Sequence, residues 1–217
     1  MCLCGSWREA LDEVAFVCDD LSGNYGQLVA GHAHYQLAEI HRLLGNPEAE
    51  ASYRRSAELG GPTQPGLSLL RLSQGEVDKA VLGIRRALAE THGQLERLDL
   101  LPAAVTIMLA AGEIDAARRA TTELAGIAAV YTTAGVQAEL AAARGAVALS
   151  DGDPAMALPL LRSAARSWRE IDAPYAVATV SALIGVACRA VGDEAAAEIE
   201  LESARSTFAR LGARPDQ

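Results

Sequence analysis

Gly152-Asp153 is followed by Ala157, Leu161 and Ala164, and Gly192-Asp193 by Ala197, Leu201 and Ala204, an offset of 40 residues at every matched position. Each copy follows one apolar helical run and begins another, so the unit reads helix, tight turn, helix. An internal repeat of this period marks an α-solenoid, in which each helix pair buries its face on the next. Glycine after a helix takes the left-handed conformation without a Cβ clash and lets the last carbonyls find partners. Asp153, Asp193, Glu113 and Glu76 then favour the next helix by side-chain capping or by negative charge at its amino end. The alanine five residues after the glycine falls where two helices cross closely, and the larger Leu161 fills the gap between repeats.

The same phase runs through the chain. Glycines 5, 45, 75, 112, 152 and 192 are spaced by 40, 30, 37, 40 and 40 residues. They divide it into five helix pairs preceded by one leading helix, an all-α, right-handed solenoid within a single domain over residues 1–217. Long first helices are predicted over about Gln27–Leu44, Leu95–Ala111 and Gln137–Ser150, and a shortened one over Leu67–Gln74. Pro47 suits a first helical turn, Pro102 lies near a helix beginning, and Pro159 is expected to kink its helix. Weaker junctions are expected near residues 60–66, where Gly60-Gly61-Pro62 and Pro65-Gly66 break the chain, and near 126–136, bracketed by Gly126 and Gly135. The leading segment from Gly5 to about Asp20 is the second helix of a pair whose first is missing. Trp7, Leu11 and Val14 on it are therefore expected to form an uncovered apolar face suited to self-association.

Half the residues are hydrophobic but only 4% aromatic, so the core is built from Ala, Leu, Val and Ile, a composition that favours close-packed helices. A net charge of −9 argues against direct binding of a nucleic-acid backbone. Lys79 is the sole lysine, the remaining cations being arginines. Cys2, Cys4, Cys18 and Cys188 form no CxxC pair and no disulfide scaffold, so reduced thiols, no metal and a cytoplasmic setting are expected. No leader-like opening and no uninterrupted apolar run of about 18 residues occurs, so no membrane association is expected.

The glycine-acid-x-x-x-alanine turn, Gly145 and Gly185 seven positions before their turn glycines, and Ala164 and Ala204 resemble the tetratricopeptide pattern at a longer period. The segments YQLAEIHRLLGNPEAEASYRRSAELG, QPGLSLLRLSQGEVDKAVLGIRRALAE and ACRAVGDEAAAEIELESARSTFARLGARPD further resemble the helical-repeat region of actinobacterial LuxR-type transcriptional regulators. That resemblance implies a sensor region of a kind found between an ATP-binding module and a helix-turn-helix. The chain lacks the GxxxxGK[ST] loop, so no nucleotide site is expected. Its last repeat reaches almost to Gln217, so no DNA-reading domain is expected in it either.

Solenoids bind through the inner face formed by the first helix of each pair. His32, Tyr35, Glu39 and Arg42, spaced by 3, 4 and 3, share one helical stripe on that face. This is either a polar receptor or an ordinary solvated helix face. The same phase elsewhere selects Leu69, Leu72, Leu109, Ala142, Leu149, Ala182, Val186 and Arg189, a largely apolar groove with a polar end, unless the residues are buried by tight curling. His34 and His41 are too far apart for one zinc ion, and no HExxH, GxSxG or cysteine-histidine signature is present. The expectation is a non-enzymatic, cofactor-free scaffold that binds protein, as a homodimer or with a regulatory partner. The alternative is a small-molecule effector held in the concave groove, which would require an enclosed pocket.

Overall fold

The computed structural model describes residues 5–20 and 27–214, and the side chains of all of these except residues 8 and 15–20. Eleven helices and no strands occur among the described residues: α1 (Trp7–Asp20), α2 (Gln27–Leu44), α3 (Ala49–Glu58), α4 (Gly66–Ser73), α5 (Val77–Glu90), α6 (Gln94–Ala110), α7 (Ile114–Ala128), α8 (Ala134–Ser150), α9 (Pro154–Glu170), α10 (Pro174–Ala190) and α11 (Glu194–Leu211). Cys2 and Cys4 lie outside the described residues. No described helix is long and apolar enough to cross a membrane.

The six phased glycines are the corners of the hairpins, all left-handed, with φ between +66° and +83°. At Gly152 the glycine N–H bonds the Leu149 carbonyl, and the Asp153 N–H reaches back to Ala148. Gly192 and Asp193 repeat this pair of bonds onto Arg189 and Cys188. This is the paired reverse bonding that satisfies the last carbonyls of a helix. Asp153 and Asp193 then accept from the N–H groups of Met156 and Ala196, so one residue closes a helix and caps the next. Glu76 and Glu113 occupy the same place without capping. Their longer side chains turn to cations instead, Glu76 to Lys79 at 2.7 Å and Glu113 to Arg85.

Ala80, Ala117, Ala157 and Ala197, each five residues after a corner, are fully buried. We expect Ala157→Leu or Ala197→Leu to cost about 1–3 kcal/mol by overpacking the helix crossing. Chemical denaturation would show this as a lower midpoint with unchanged slope, and an unmoved midpoint would contradict the close crossing.

Within each pair the two helices pack along one another, and the first helices also touch in succession: α2 with α4, α4 with α6, α6 with α8 and α8 with α10. No comparable contact joins successive second helices among the described residues. The second helices therefore fan outward and the first helices line the inside of the curve. The structure is an α-solenoid of helix hairpins with two main apolar cores. One is shared by α4–α8 and centred on Ile84, Leu101, Ile107 and Leu124. The other is shared by α8–α11 and centred on Leu161, Trp168 and Ile184.

One local expectation is corrected: Pro102 sits in the middle of α6, not near its beginning. The junction bracketed by Gly126 and Gly135 is narrower than its brackets, since both glycines lie inside helices and the break is confined to residues 129–133. Pro159 lies inside α9.

The curl brings the two ends of the chain together. The indole of Trp7 lies 5.5 Å from the ring of Tyr175 on α10, which in turn meets Phe208 of α11 at 5.4 Å. Ile40, Leu43 and Leu44 of α2 join the same cluster with Leu211 and Ala213. The Arg214 N–H donates to the Leu43 carbonyl at 2.9 Å. Trp7 is consequently 1% exposed, and Leu11 and Val14 are half-buried. The expectation that these three residues form an uncovered face is corrected. The carboxyl end of the same chain covers the side of α1 that lacks a first-helix partner.

Candidate functional site

The inner stripe divides into a polar part on α2 and an apolar part on α4, α6, α8 and α10. On α2, Glu39 is the hub. The Tyr53 hydroxyl of α3 donates to Glu39 Oε1, and Arg42 Nη2 donates to Oε2 at 3.0 Å. The rings of Tyr35 and Tyr53 stand 5.9 Å apart, and the Gly66 backbone amide hydrogen-bonds the Tyr35 hydroxyl. A Cβ at Gly66 would collide with the Glu39 carboxylate and the Tyr53 hydroxyl, so any larger residue at the start of α4 would have to displace this pair. Burial first, and the Glu39 charge second, push both tyrosine hydroxyls far above the usual phenol range. Both therefore stay protonated, and the Tyr53 hydroxyl serves Glu39 as a donor.

Of the four polar stripe residues, the structure thus brings Tyr35, Glu39 and Arg42 together with Tyr53, which sequence spacing alone did not select because it lies on the other helix of the hairpin. Arg42 is buried. His32 stands apart, exposed, with Nδ1 2.9 Å from the Leu28 carbonyl one turn back. Burial lowers the pKa of His41, partly opposed by Glu48, whose carboxylate lies 3.5 Å away.

Of the apolar part, Leu72 is buried in the α4–α8 core, with Leu69 and Leu109 half-buried against it. Leu149, Ala142 and Ala182 are half-buried among the helices around α8–α11. Val186 remains 48% exposed and Arg189 is also exposed, with Nε 3.3 Å from Glu194. The apolar stripe is therefore largely packed at its α4 end and open at its α10 end.

The same phase holds two acids that the apolar selection passed over. His32, Asp99 and Glu139 each stand 13 residues before a corner glycine (Gly45, Gly112 and Gly152). Asp99 is close enough for its charge to act on Tyr35. Glu139, half-buried on α8, has no hydrogen-bond or ion-pair partner among the described residues, and desolvation pushes its carboxyl up to about 7.

Two open concavities of about 580 Å³ each lie elsewhere. One is lined by Thr91, His92, Gln94, Arg97, Glu123, Gly126 and Ile127, the other by the α6–α7 corner with Arg118 and Arg119. In the first, Arg97 is committed to Glu123 and to the carbonyls of Leu88 and Thr91. Neither concavity includes a stripe residue. Among the described residues no group of three or more His, Cys, Asp or Glu side chains is placed to hold a metal ion.

No family model and no curated protein matches the chain. Among solved structures it is similar to BtubC (BKLC) from P. vanneervenii, with 17% identity and a TM-score of 0.59 over 98% of this chain and 92% of that one. A likeness at this identity concerns the fold alone.

Proposed function

We propose that the chain is a non-enzymatic protein-binding scaffold whose inner face receives an apolar helical segment of a regulatory partner. The observation that carries this reading is the inner stripe at α10, where Val186 is exposed between the half-buried Ala182 and the cation Arg189. An amphipathic helix docks by laying a row of apolar anchors into such a groove, with charges at its margin. A partner is favoured over a metabolite because the polar stripe spends its hydrogen-bonding capacity inside the chain, Glu39 being bonded to both Tyr53 and Arg42. The resemblance to the sensor region of LuxR-type regulators supports a regulatory setting. With Trp7 covered by the chain's own carboxyl end, a single chain is the binding unit in this reading.

Affinity capture from the native cell tests it, using the wild-type chain, Val186→Asp on the inner face and Ile199→Asp on the outer face, where Ile199 is 70% exposed. The partner is expected to be lost with Val186→Asp and retained with Ile199→Asp. The reverse pattern, or equal retention by both variants, would overturn the inner-face assignment.

A further inference from the structure

The end-to-end contact differs from the joints within the carboxyl-terminal body of the solenoid. There, neighbouring repeats meet along whole helices through buried alanine and leucine, as α9 does with α8 and α10. The two ends meet only at their tips. Trp7 and Ile40 on one side face Tyr175, Leu211 and Ala213 on the other, with the Arg214-to-Leu43 backbone bond beside them. This joint also spans a long sequence separation, Trp7 and Tyr175 being 168 residues apart and Leu43 and Arg214 171. Closing so long a loop carries an entropic cost that contacts between sequence neighbours do not bear. Two glycine corners set the fit: a Cβ on Gly5 would reach 2.5 Å from the Leu211 side chain, and one on Gly45 would run into Arg214.

We infer that this joint is a latch: it opens while the hairpins stay folded, and opening widens the way to the inner face. The first part rests on the joint alone, and the second rests on the partner-binding reading above. Local opening follows the regions with fewest buried contacts, so α1 and the 208–214 segment open together and before the α6–α9 body. The closed state hides the aromatic cluster and holds α2 against the end of α11. The open state separates α2 from α11, so that a helix about 10 Å wide can enter from the side instead of along the axis.

Hydrogen exchange read by mass spectrometry, with sedimentation velocity, tests the latch on the whole chain. Trp7→Ala removes the main contact from one side. Leu211→Asp places a charge in the joint from the other side and spares the repeat cores. Both variants are expected to lose protection in α1 by about tenfold or more while α6–α9 amides exchange as in the wild type. Both should also sediment more slowly at unchanged mass. Unchanged α1 protection and sedimentation in Leu211→Asp would show that the joint holds nothing closed. Loss of protection spread evenly over all helices would show that it belongs to one cooperative unit. Either result overturns the latch. A variant that opens normally but leaves partner capture unchanged would overturn the access role alone.

Discussion

Raising the pH from 5 to 8 is expected to destabilise the wild-type chain through Glu139, and Glu139→Gln is expected to remove that part of the loss. Desolvation lifts this carboxyl from 4.5 to about 7 in the folded chain. A group whose folded pKa is raised contributes fully below its unfolded value and loses that contribution as the pH rises through its folded value. The window is therefore about pH 4.5–7. The rise corresponds to about 3 kcal/mol, or roughly 6–12 °C in melting temperature for a chain of this size. His41 works in the opposite sense, since burial lowers its pKa and acid must charge it. The informative quantity is thus the difference between wild-type and Glu139→Gln melting curves across that range. Parallel curves would show that Glu139 is ionised at ordinary cost and is well solvated.

The second large effect concerns the way one repeat seats on the next. Leu161 is fully buried, and a Cβ added to Gly145 would stand 2.6 Å from its Cγ. Leu201 bears the same relation to Gly185, at the same distance. Leu161→Ala is expected to cost about 2–5 kcal/mol by leaving a cavity. Gly145→Ala is expected to cost about 1–3 kcal/mol by forcing the leucine from its rotamer. Because the alanine methyl would enter the space the leucine vacates, the double variant should be more stable than the sum of the two by about 1 kcal/mol or more. Denaturant titrations of the four proteins give the cycle directly. Strict additivity would mean that these side chains do not share the space assigned to them.

The hairpins were legible because their determinants are local. A corner needs left-handed backbone, glycine meets that need, and the period then places each alanine. Asp172 is the instructive exception. It turns left-handed at φ 54° between α9 and α10 without a glycine to announce it. Of the two expected roles, side-chain capping holds for Asp153 and Asp193, whereas Glu76 and Glu113 make no cap bond and keep only the place for charge at the helix start, their extra methylene carrying the carboxylate past the amides to Lys79 and Arg85. The joint between the chain ends was not legible. Closure depends on small rotations summed over five hairpins, and no spacing in the sequence records that sum. Trp7 therefore read as an uncovered apolar residue when its partner, Tyr175, lies far along the chain. At the candidate site, helical phase found Glu39 and Arg42 but not Tyr53, which completes their network from the adjacent helix. Glu139 did carry a signal, its shared phase with His32 and Asp99, although the neighbouring positions of that stripe are mostly apolar.

Small-angle X-ray scattering from the dilute wild-type chain tests the central claim most directly, that phased hairpins curl until α1 and α2 meet the end of α11. The expected profile is that of one closed chain, with a maximum dimension set by the width of the ring. A longer maximum dimension at one-chain mass, matching an open superhelix with its ends apart, would contradict it.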